Sequence, residues 1–345
     1  MRKMKKRLAA VLACALCALS SCAPAAVRPA DPVTLEFPAM DTWISLKIFG
    51  TAADAEAARG ALLDMESRWT VASPGSELSR VNSAVGKEER VSEDTARLIA
   101  QAAMWHGVTG GLFDATVCPL VRAWGFGTGE LRVPDDEEIA RLLGCLGSDR
   151  IRVEGDKVTV PEGVTLDAGG IAKGFAGDEL CRMLRERGVE SALLNLGGNV
   201  QLLGTKPDGS PWQIGVRAPD GSGRILGTVS ASDACVITSG AYERYLTDET
   251  GKRYGHILDP RTGKPAQTDL LSVTVAAQQG TMGDALSTAL FVMGREGAVR
   301  FWRENGGFDM LLVTAEGTLV VTEGIADRFV PSKEFEEGLC VEKRD

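Results

Sequence analysis

Histidine is almost missing from this chain: His106 and His256 are the two among 345 residues. A zinc or iron site built from several imidazoles is therefore excluded. A basic excess is missing as well, because 38 Lys and Arg face 47 Asp and Glu for a net charge of −9. No nucleic-acid partner is expected, since there is no surplus of cations to neutralise phosphates. Eight cysteines are present, but the one C-x-x-C pair, Cys14 and Cys17, falls in an N-terminal apolar stretch. That placement removes a zinc ribbon and a thioredoxin motif. Cys118, Cys145, Cys181 and Cys235 stand in apolar or mixed surroundings without scaffold spacing, so buried free thiols are expected. With 44% apolar and 25% charged residues, disorder, collagen and coiled coil are ruled out. The chain is long enough for one large domain or two intimate ones.

Arg2, Lys3, Lys5, Lys6 and Arg7 precede an apolar run from Leu8 to Leu19. That run is well short of the roughly 20 residues that cross a bilayer as a helix, so 1–21 reads as a signal peptide. It ends in Leu19-Ser20-Ser21-Cys22, which resembles the bacterial lipobox. The resemblance implies lipidation at Cys22, a tether over 22–32, and an extracytoplasmic protein held to the cell membrane by its acyl chains. A plain secretory signal with an incidental cysteine is the alternative. The functional domain is expected over 33–330, followed by a C-terminal tail over 331–345.

Strand character runs over 33–48, with Val33, Leu35 and Phe37 alternating against Thr34 and Glu36. Three- and four-residue spacing of Ala55, Ala58, Leu62, Met65 and Trp69 predicts a helix over 52–69. Further helices are expected over 92–104, 134–143, 170–187, 284–293 and 296–302. Strands are expected over 192–203, 212–217, 224–230, 236–238, 254–258 and 271–277. Gly155-Asp156 and Glu316-Gly317 read as hairpin turns. No internal repeat is visible. Helices and strands are partly segregated, and no G-x-G-x-x-G follows a first strand, so an α+β fold is expected over a Rossmann fold.

Several glycine-rich segments carry chemistry. Asp167-Ala168-Gly169-Gly170-Ile171-Ala172-Lys173 places a carboxylate, two glycines and a lysine where a helix starts. Backbone N–H groups at a helix N-terminus attract anions, and Lys173 adds a full charge, so a phosphate site is expected unless the helix is merely capped there. The glycine spacing is not that of a Walker A loop. Asp284 and Thr288, four apart on a helix, share one face, and two hard oxygens so placed suit Mg²⁺. A capping Asp with a Thr bonded to the backbone gives the same pattern. His106 follows an apolar helix and reads as a C-terminal helix cation.

Taken in order, nine stretches resemble the ApbE family of flavin transferases. They are Met40-Asp41-Thr42; Ser76-Glu77-Leu78-Ser79-Arg80-Val81-Asn82; Gly111-Leu112-Phe113-Asp114-Ala115-Thr116; Trp124-Gly125-Phe126-Gly127; 167–176; Asn195-Leu196-Gly197-Gly198-Asn199; Thr238-Ser239-Gly240-Ala241-Tyr242-Glu243-Arg244; His256-Ile257-Leu258-Asp259-Pro260; and 284–288. The resemblance implies an α+β fold with a T-fold-like antiparallel sheet core and flanking helices. It also implies transfer of FMN from FAD to a threonine or serine of an acceptor electron-transfer protein, with Mg²⁺ and with release of AMP. FAD would be held by Met40, Leu112, Phe113, Asp114, Asp167, Lys173, His256 and Ile257, and Mg²⁺ by the Gly170 carbonyl, Asp284 and Thr288. Two positions depart from the family pattern: Ala72 stands where a Tyr is common, so that a flavin contact is either missing or supplied by Trp69, and Ser287 stands where some members carry another carboxylate.

Attack of a hydroxyl on a pyrophosphate needs a cation on the phosphates and a base on the nucleophile. Asp284 serves the first through the metal. His256 is the better base of the two histidines, since an ordinary pKa near 6.5 suits work around neutrality. The residues alone leave open an Mg²⁺-dependent FAD pyrophosphatase, in which water replaces the hydroxyl, and a non-catalytic flavin-binding lipoprotein.

Overall fold

Phe37, Ala39, Ile44, Leu46 and Ile48 point to one side of an antiparallel hairpin and are buried there, as the period-two alternation requires. In the computed structural model, which describes residues 31–126, 132–242, 245–335 and 338–344, this hairpin begins a nine-stranded sheet. Its strands are β1 (Val33–Ala39), β2 (Thr42–Ile48), β3 (Ala192–Leu196), β4 (Asn199–Leu203), β5 (Cys235–Gly240), β6 (Leu270–Ala277), β7 (Phe308–Thr314), β8 (Leu319–Thr322) and β9 (Leu339–Glu342). Each neighbours the next, so spatial order follows chain order. Every pairing is antiparallel except β8 with β9, which is parallel.

Two expectations are corrected here. The stretch 192–203 is a hairpin and not one strand, because Gly197 and Gly198 take φ of 67° and 101° and close a two-residue turn between Leu196 and Asn199. The stretch 331–345 is more than a tail: Leu339, Cys340 and Val341 pair with Leu319, Val320 and Val321, adding the edge strand β9.

The described residues form the helices α1 (Ala52–Trp69), α2 (Glu77–Ser83), α3 (Glu93–Val108), α4 (Cys118–Ala123), α5 (Asp136–Leu143), α6 (Ala172–Glu186), α7 (Gly280–Glu304) and the single turn α8 (Glu323–Ala326). Leu62 of α1, Leu180 and Leu184 of α6, and Leu286 and Leu290 of α7 join Ile44 and Leu46 in the main core. A second core lies between the sheet and a three-stranded sheet of Trp212–Arg217, Ile225–Ala231 and Phe329–Pro331, where Ile214, Val229 and Phe329 meet Val236, Leu311 and Val313. The architecture is α+β, an antiparallel-dominated sheet with flanking helices, as expected.

Helix α2 escaped the periodicity because it is one short amphipathic stretch, capped by the Ser76 side chain on the Ser79 N–H. Helix α7 starts at Gly280, one turn before the expected 284, and its axis breaks at Gly294 with φ 71°, where the sequence predicts two helices. Cys118, Cys181 and Cys235 are buried free thiols as expected, whereas Cys145 is only half-buried. Burial pushes each of the three buried thiols up to about 12.

Candidate active site

Two hairpin tips and the starts of two helices meet at one end of the sheet. Met40 and Asp41 close the β1–β2 turn with φ of 51° and 56°, a left-handed conformation that costs a non-glycine residue on the order of 1 kcal/mol or more. The Met40 N–H donates to Glu66 Oε1 on α1 at 2.6 Å, which helps hold the tip. Beside it lies the Gly197-Gly198 turn. A Cβ on Gly197 would stand 2.2 Å from Thr42 Oγ1, so glycine is what lets the two tips touch.

The entry to α6 is held from three sides. Asn82 of α2 brackets Leu166, accepting its N–H at 2.8 Å and donating to its carbonyl at 2.9 Å. The Asp167 N–H donates to the Ala115 carbonyl at 2.8 Å, which ties the 112–116 segment to the helix entry. Asp167 Oδ1 accepts the Gly169 N–H at 2.7 Å and sets the turn. Gly169 and Gly170 are exposed, and a Cβ on Gly170 would come within 3.2 Å of the Phe113 ring. Phe113 thus forms a floor beneath the exposed glycines, while Leu112 is half-buried beside the core.

Asp284 enters from α7. It is 6% exposed, and its Oδ2 accepts the Gly174 N–H at 2.8 Å. Burial pushes its carboxyl up from the ordinary range, opposed by the Lys173 charge, the Gly174 N–H and the neighbouring Asn199 amide. Asn199 Nδ2 is buried and makes no well-aligned hydrogen bond, although it lies within reach of that carboxylate. Thr288 follows one turn later on the same face and is half-buried. Ser287 faces away, 2.8 Å from Ser239 Oγ on β5. The structure therefore brings Phe113, Asp167, Gly170, Lys173 and Asp284 together at the entry of α6, with Thr288 one turn further along α7.

The hard oxygens of Asp284, Thr288 and the Gly170 carbonyl are of the kind that hold Mg²⁺, and the buried carboxylate and the orphaned Asn199 amide mark a locus built for charge. One carboxylate suffices for such an ion when phosphate oxygens complete its shell.

His256 and Ile257 lie between two short strands, Arg253–Gly255 and Leu258–Asp259. His256 is half-buried, and the Ile257 carbonyl accepts the Ala266 N–H at 2.9 Å. Gly255 packs against Ala241, just past the end of β5, where a Cβ would stand 2.9 Å from the Ala241 Cβ. That is the strand whose Ser239 bonds α7. Cys22 lies outside the described residues, as do Gly127, Glu243 and Arg244.

Two expectations change. Trp69 does not replace the Tyr missing at Ala72, because its ring is buried edge-on against Phe175 and its Nε1 donates to Thr95 Oγ1 at 3.0 Å. The Asp114 carboxylate is engaged within the protein. Oδ1 accepts from the Thr116 N–H at 2.8 Å and Ser148 Oγ at 2.6 Å, and Oδ2 lies 3.3 Å from His106 Nδ1. Its place is under the 110–116 loop, where it fixes the loop's shape. His106 does sit in the last turn of α3, but its charge answers Asp114 and, at 3.8 Å, Asp149.

The Asp114 carboxylate beside it raises the His106 pKa, while burial works against that rise. Burial pushes the Asp114 carboxyl up, but His106, Ser148 and Thr116 outweigh it and the net shift is downward. The stabilisation is therefore present above the ordinary carboxylate pKa of about 3.9 and fully present below the ordinary histidine value of about 6.5. It is lost as pH rises through the raised His106 pKa. His106→Gln is expected to cost about 1 to 3 kcal/mol near pH 6 and to flatten the alkaline decline in melting temperature. Melting curves from pH 5 to 9 check this; an unchanged decline would exclude the pair as its source.

Asp178, whose side chain caps α7 through the Gly280 and Thr281 N–H groups, escapes the sequence reading, as do the roles of Asn82 and Asn199. Only their partners show what they do, and those partners are far away in the chain.

A family model described as the ApbE family matches residues 40–312. A protein of Vibrio cholerae named FAD:protein FMN transferase is 33% identical over 282 residues, spanning 78% of this chain and 84% of that protein. One of Treponema pallidum with the same name is 34% identical over 271 residues, spanning 73% of this chain and 75% of its own length. The crystal structure of the ApbE protein from Thermotoga maritima superposes with a TM-score of 0.79 at 33% identity, covering 86% of this chain and 99% of that one.

Proposed function

This chain belongs to the ApbE family, and we propose that it is an FAD:protein FMN transferase that moves FMN from FAD to a threonine or serine hydroxyl of an acceptor electron-transfer protein, using Mg²⁺ and releasing AMP. The observation that carries the reading is the convergence of the buried Asp284 carboxylate with Lys173 at the exposed Gly169-Gly170 entry of α6. The names of the relatives support flavin transfer; the acceptor and the leaving group rest on the family resemblance, and the metal on that resemblance and on the hard oxygens at the site.

The exposed Gly169-Gly170 backbone at the positive end of α6 and the Lys173 ammonium bind the pyrophosphate. Glycine at 169 and 170 lets phosphate oxygens approach the backbone. Asp284, Thr288 and the Gly170 carbonyl would hold Mg²⁺, which when bound neutralises charge on the pyrophosphate and stabilises the leaving oxygen. Met40, half-buried at the β1–β2 tip, offers apolar surface suited to a flavin, and Phe113 supports the exposed glycines from beneath. His256 takes the proton of the acceptor hydroxyl as its oxygen bonds to the FMN phosphorus. The bond between that phosphorus and the bridging oxygen breaks, and AMP leaves with the oxygen. The mature chain is held to the membrane by a lipid on Cys22.

Incubation of the chain with FAD, Mg²⁺ and an acceptor flavoprotein domain tests the reading by intact mass. The acceptor is expected to gain one FMN less one water, with AMP formed in equal amount. FMN and AMP released without an acceptor adduct would make the protein a pyrophosphatase, and bound but unconsumed FAD a flavin receptor.

A further inference from the structure

One five-residue pattern, G-x-x-G-D, stands at the start of both helices at the site. On α6 it is Gly174-Phe175-Ala176-Gly177-Asp178, and on α7 Gly280-Thr281-Met282-Gly283-Asp284. Too short to register as a repeat in the sequence, the two copies face each other crosswise in the fold. A Cβ on Gly174 would stand 2.2 Å from the Gly280 carbonyl oxygen, and one on Gly280 would stand 2.5 Å from the Gly174 carbonyl oxygen. At that distance each helix reaches the other's unsatisfied N–H groups. Asp284 Oδ2 accepts the Gly174 N–H at 2.8 Å. Asp178 Oδ1 accepts the Gly280 N–H at 2.7 Å, and its Oδ2 accepts the Thr281 N–H at 2.8 Å and hydroxyl at 2.6 Å.

Neither helix has a side-chain cap of its own, since Ile171 and Gln279 occupy those positions without bonding. Each is capped by the other's aspartate. Strand β4 backs both: Gln201 Nε2 donates to Asp178 Oδ1 at 3.3 Å, and Asn199, two residues earlier on the same face, stands beside Asp284. The copies differ in what remains. Both Asp178 oxygens are engaged by the clamp, whereas Asp284 adjoins Lys173 and the helix entry.

We infer that Asp178 is a positioning residue: by capping α7 across the helix pair it fixes the residue at which that helix begins, and so the direction in which Asp284 meets Gly170 and Lys173. A start displaced by one residue would turn Asp284 by about 100° about the helix axis. The inference rests on the reading above, in which Asp284 holds Mg²⁺.

The test uses the full chain and the variants Asp178→Asn and Thr281→Val. Asn keeps the size and one acceptor for Gly280, but sets an amide donor against the Thr281 donors. Val removes only the hydroxyl bond. FAD is titrated calorimetrically with and without Mg²⁺, and cooperative melting verifies the fold. D178N is expected to raise the Mg²⁺ concentration needed for the metal-dependent gain in FAD affinity about tenfold or more, with Mg²⁺-free binding changed less than about twofold. T281V is expected to shift in the same direction by less. Equal loss of FAD binding with and without Mg²⁺ would signal general disruption and overturn the inference. A Mg²⁺ response like the wild type's in a folded variant would also overturn it, and T281V decides if D178N does not fold. If the wild type itself does not respond to Mg²⁺, the metal reading falls first, a result distinct from a response that the variants retain.

Discussion

Asp284→Ala is expected to lower Mg²⁺-dependent FMN transfer by several orders of magnitude. The substitution removes the Asp284 carboxylate beside Lys173 and leaves the Thr288 hydroxyl and the Gly170 carbonyl as ligands. Neutralising charge on a pyrophosphate in a dry site is worth several kcal/mol of barrier, and each 1.4 kcal/mol is about tenfold in rate. The structure adds a second consequence. Asp284 caps α6 through the Gly174 N–H, so the same variant also loses about 1 kcal/mol or more of stability and melts earlier. Asp284→Asn separates the effects, since its amide oxygen can still accept that N–H while the charge is gone. Transfer per folded molecule should fall nearly as far in the Asn variant, with much of the melting temperature retained. Near-normal turnover in Asp284→Asn would sink the metal assignment and leave a cap.

Gly174→Ala is expected to destabilise the protein by more than about 4 kcal/mol, against the usual gain of roughly 0.5 to 1 kcal/mol for alanine over glycine inside a helix. The new methyl would stand 2.2 Å from the Gly280 carbonyl oxygen and 2.7 Å from the Asp284 Cβ. Those atoms are fixed within α7, so the helices must separate, and both crossed caps go with them. In a domain of this size the melting temperature should fall by about 10 °C. Gly60 is the internal control. It lies exposed on α1 with nothing within 4 Å of a Cβ, and Gly60→Ala should hold or raise the melting temperature. If both alanines behaved alike, close packing of α6 on α7 would not be what holds the site.

Part of this was legible in the sequence because it is local. The alternation of Phe37, Ile44, Leu46 and Ile48 produces the first hairpin, and the spacing of Ala55, Ala58, Leu62, Met65 and Trp69 produces α1, since side-chain direction follows the backbone period. The Gly169 to Lys173 helix entry and the Asp284 and Thr288 pair were legible for the same reason: four residues on a helix decide which side chains share a face.

Other features depend on what a segment meets. The resemblance names Asp114 among the FAD contacts, and Thr116, Ser148 and His106 turn its carboxylate inward. Residues 339–342 become a strand because β8 offers an open edge. The start of α7 shows the division most plainly. Gln279 cannot cap it, so the sequence alone points to a start near Asp284, four residues late; the true cap, Asp178, is supplied by α6. The sequence by itself determined the elements and the reactive side chains, because periodicity and helical spacing act over a few residues. Only the tertiary structure decided which oxygens are engaged in holding the helices together and which face the cleft, because a buried N–H must find an acceptor wherever packing brings one, however distant along the chain.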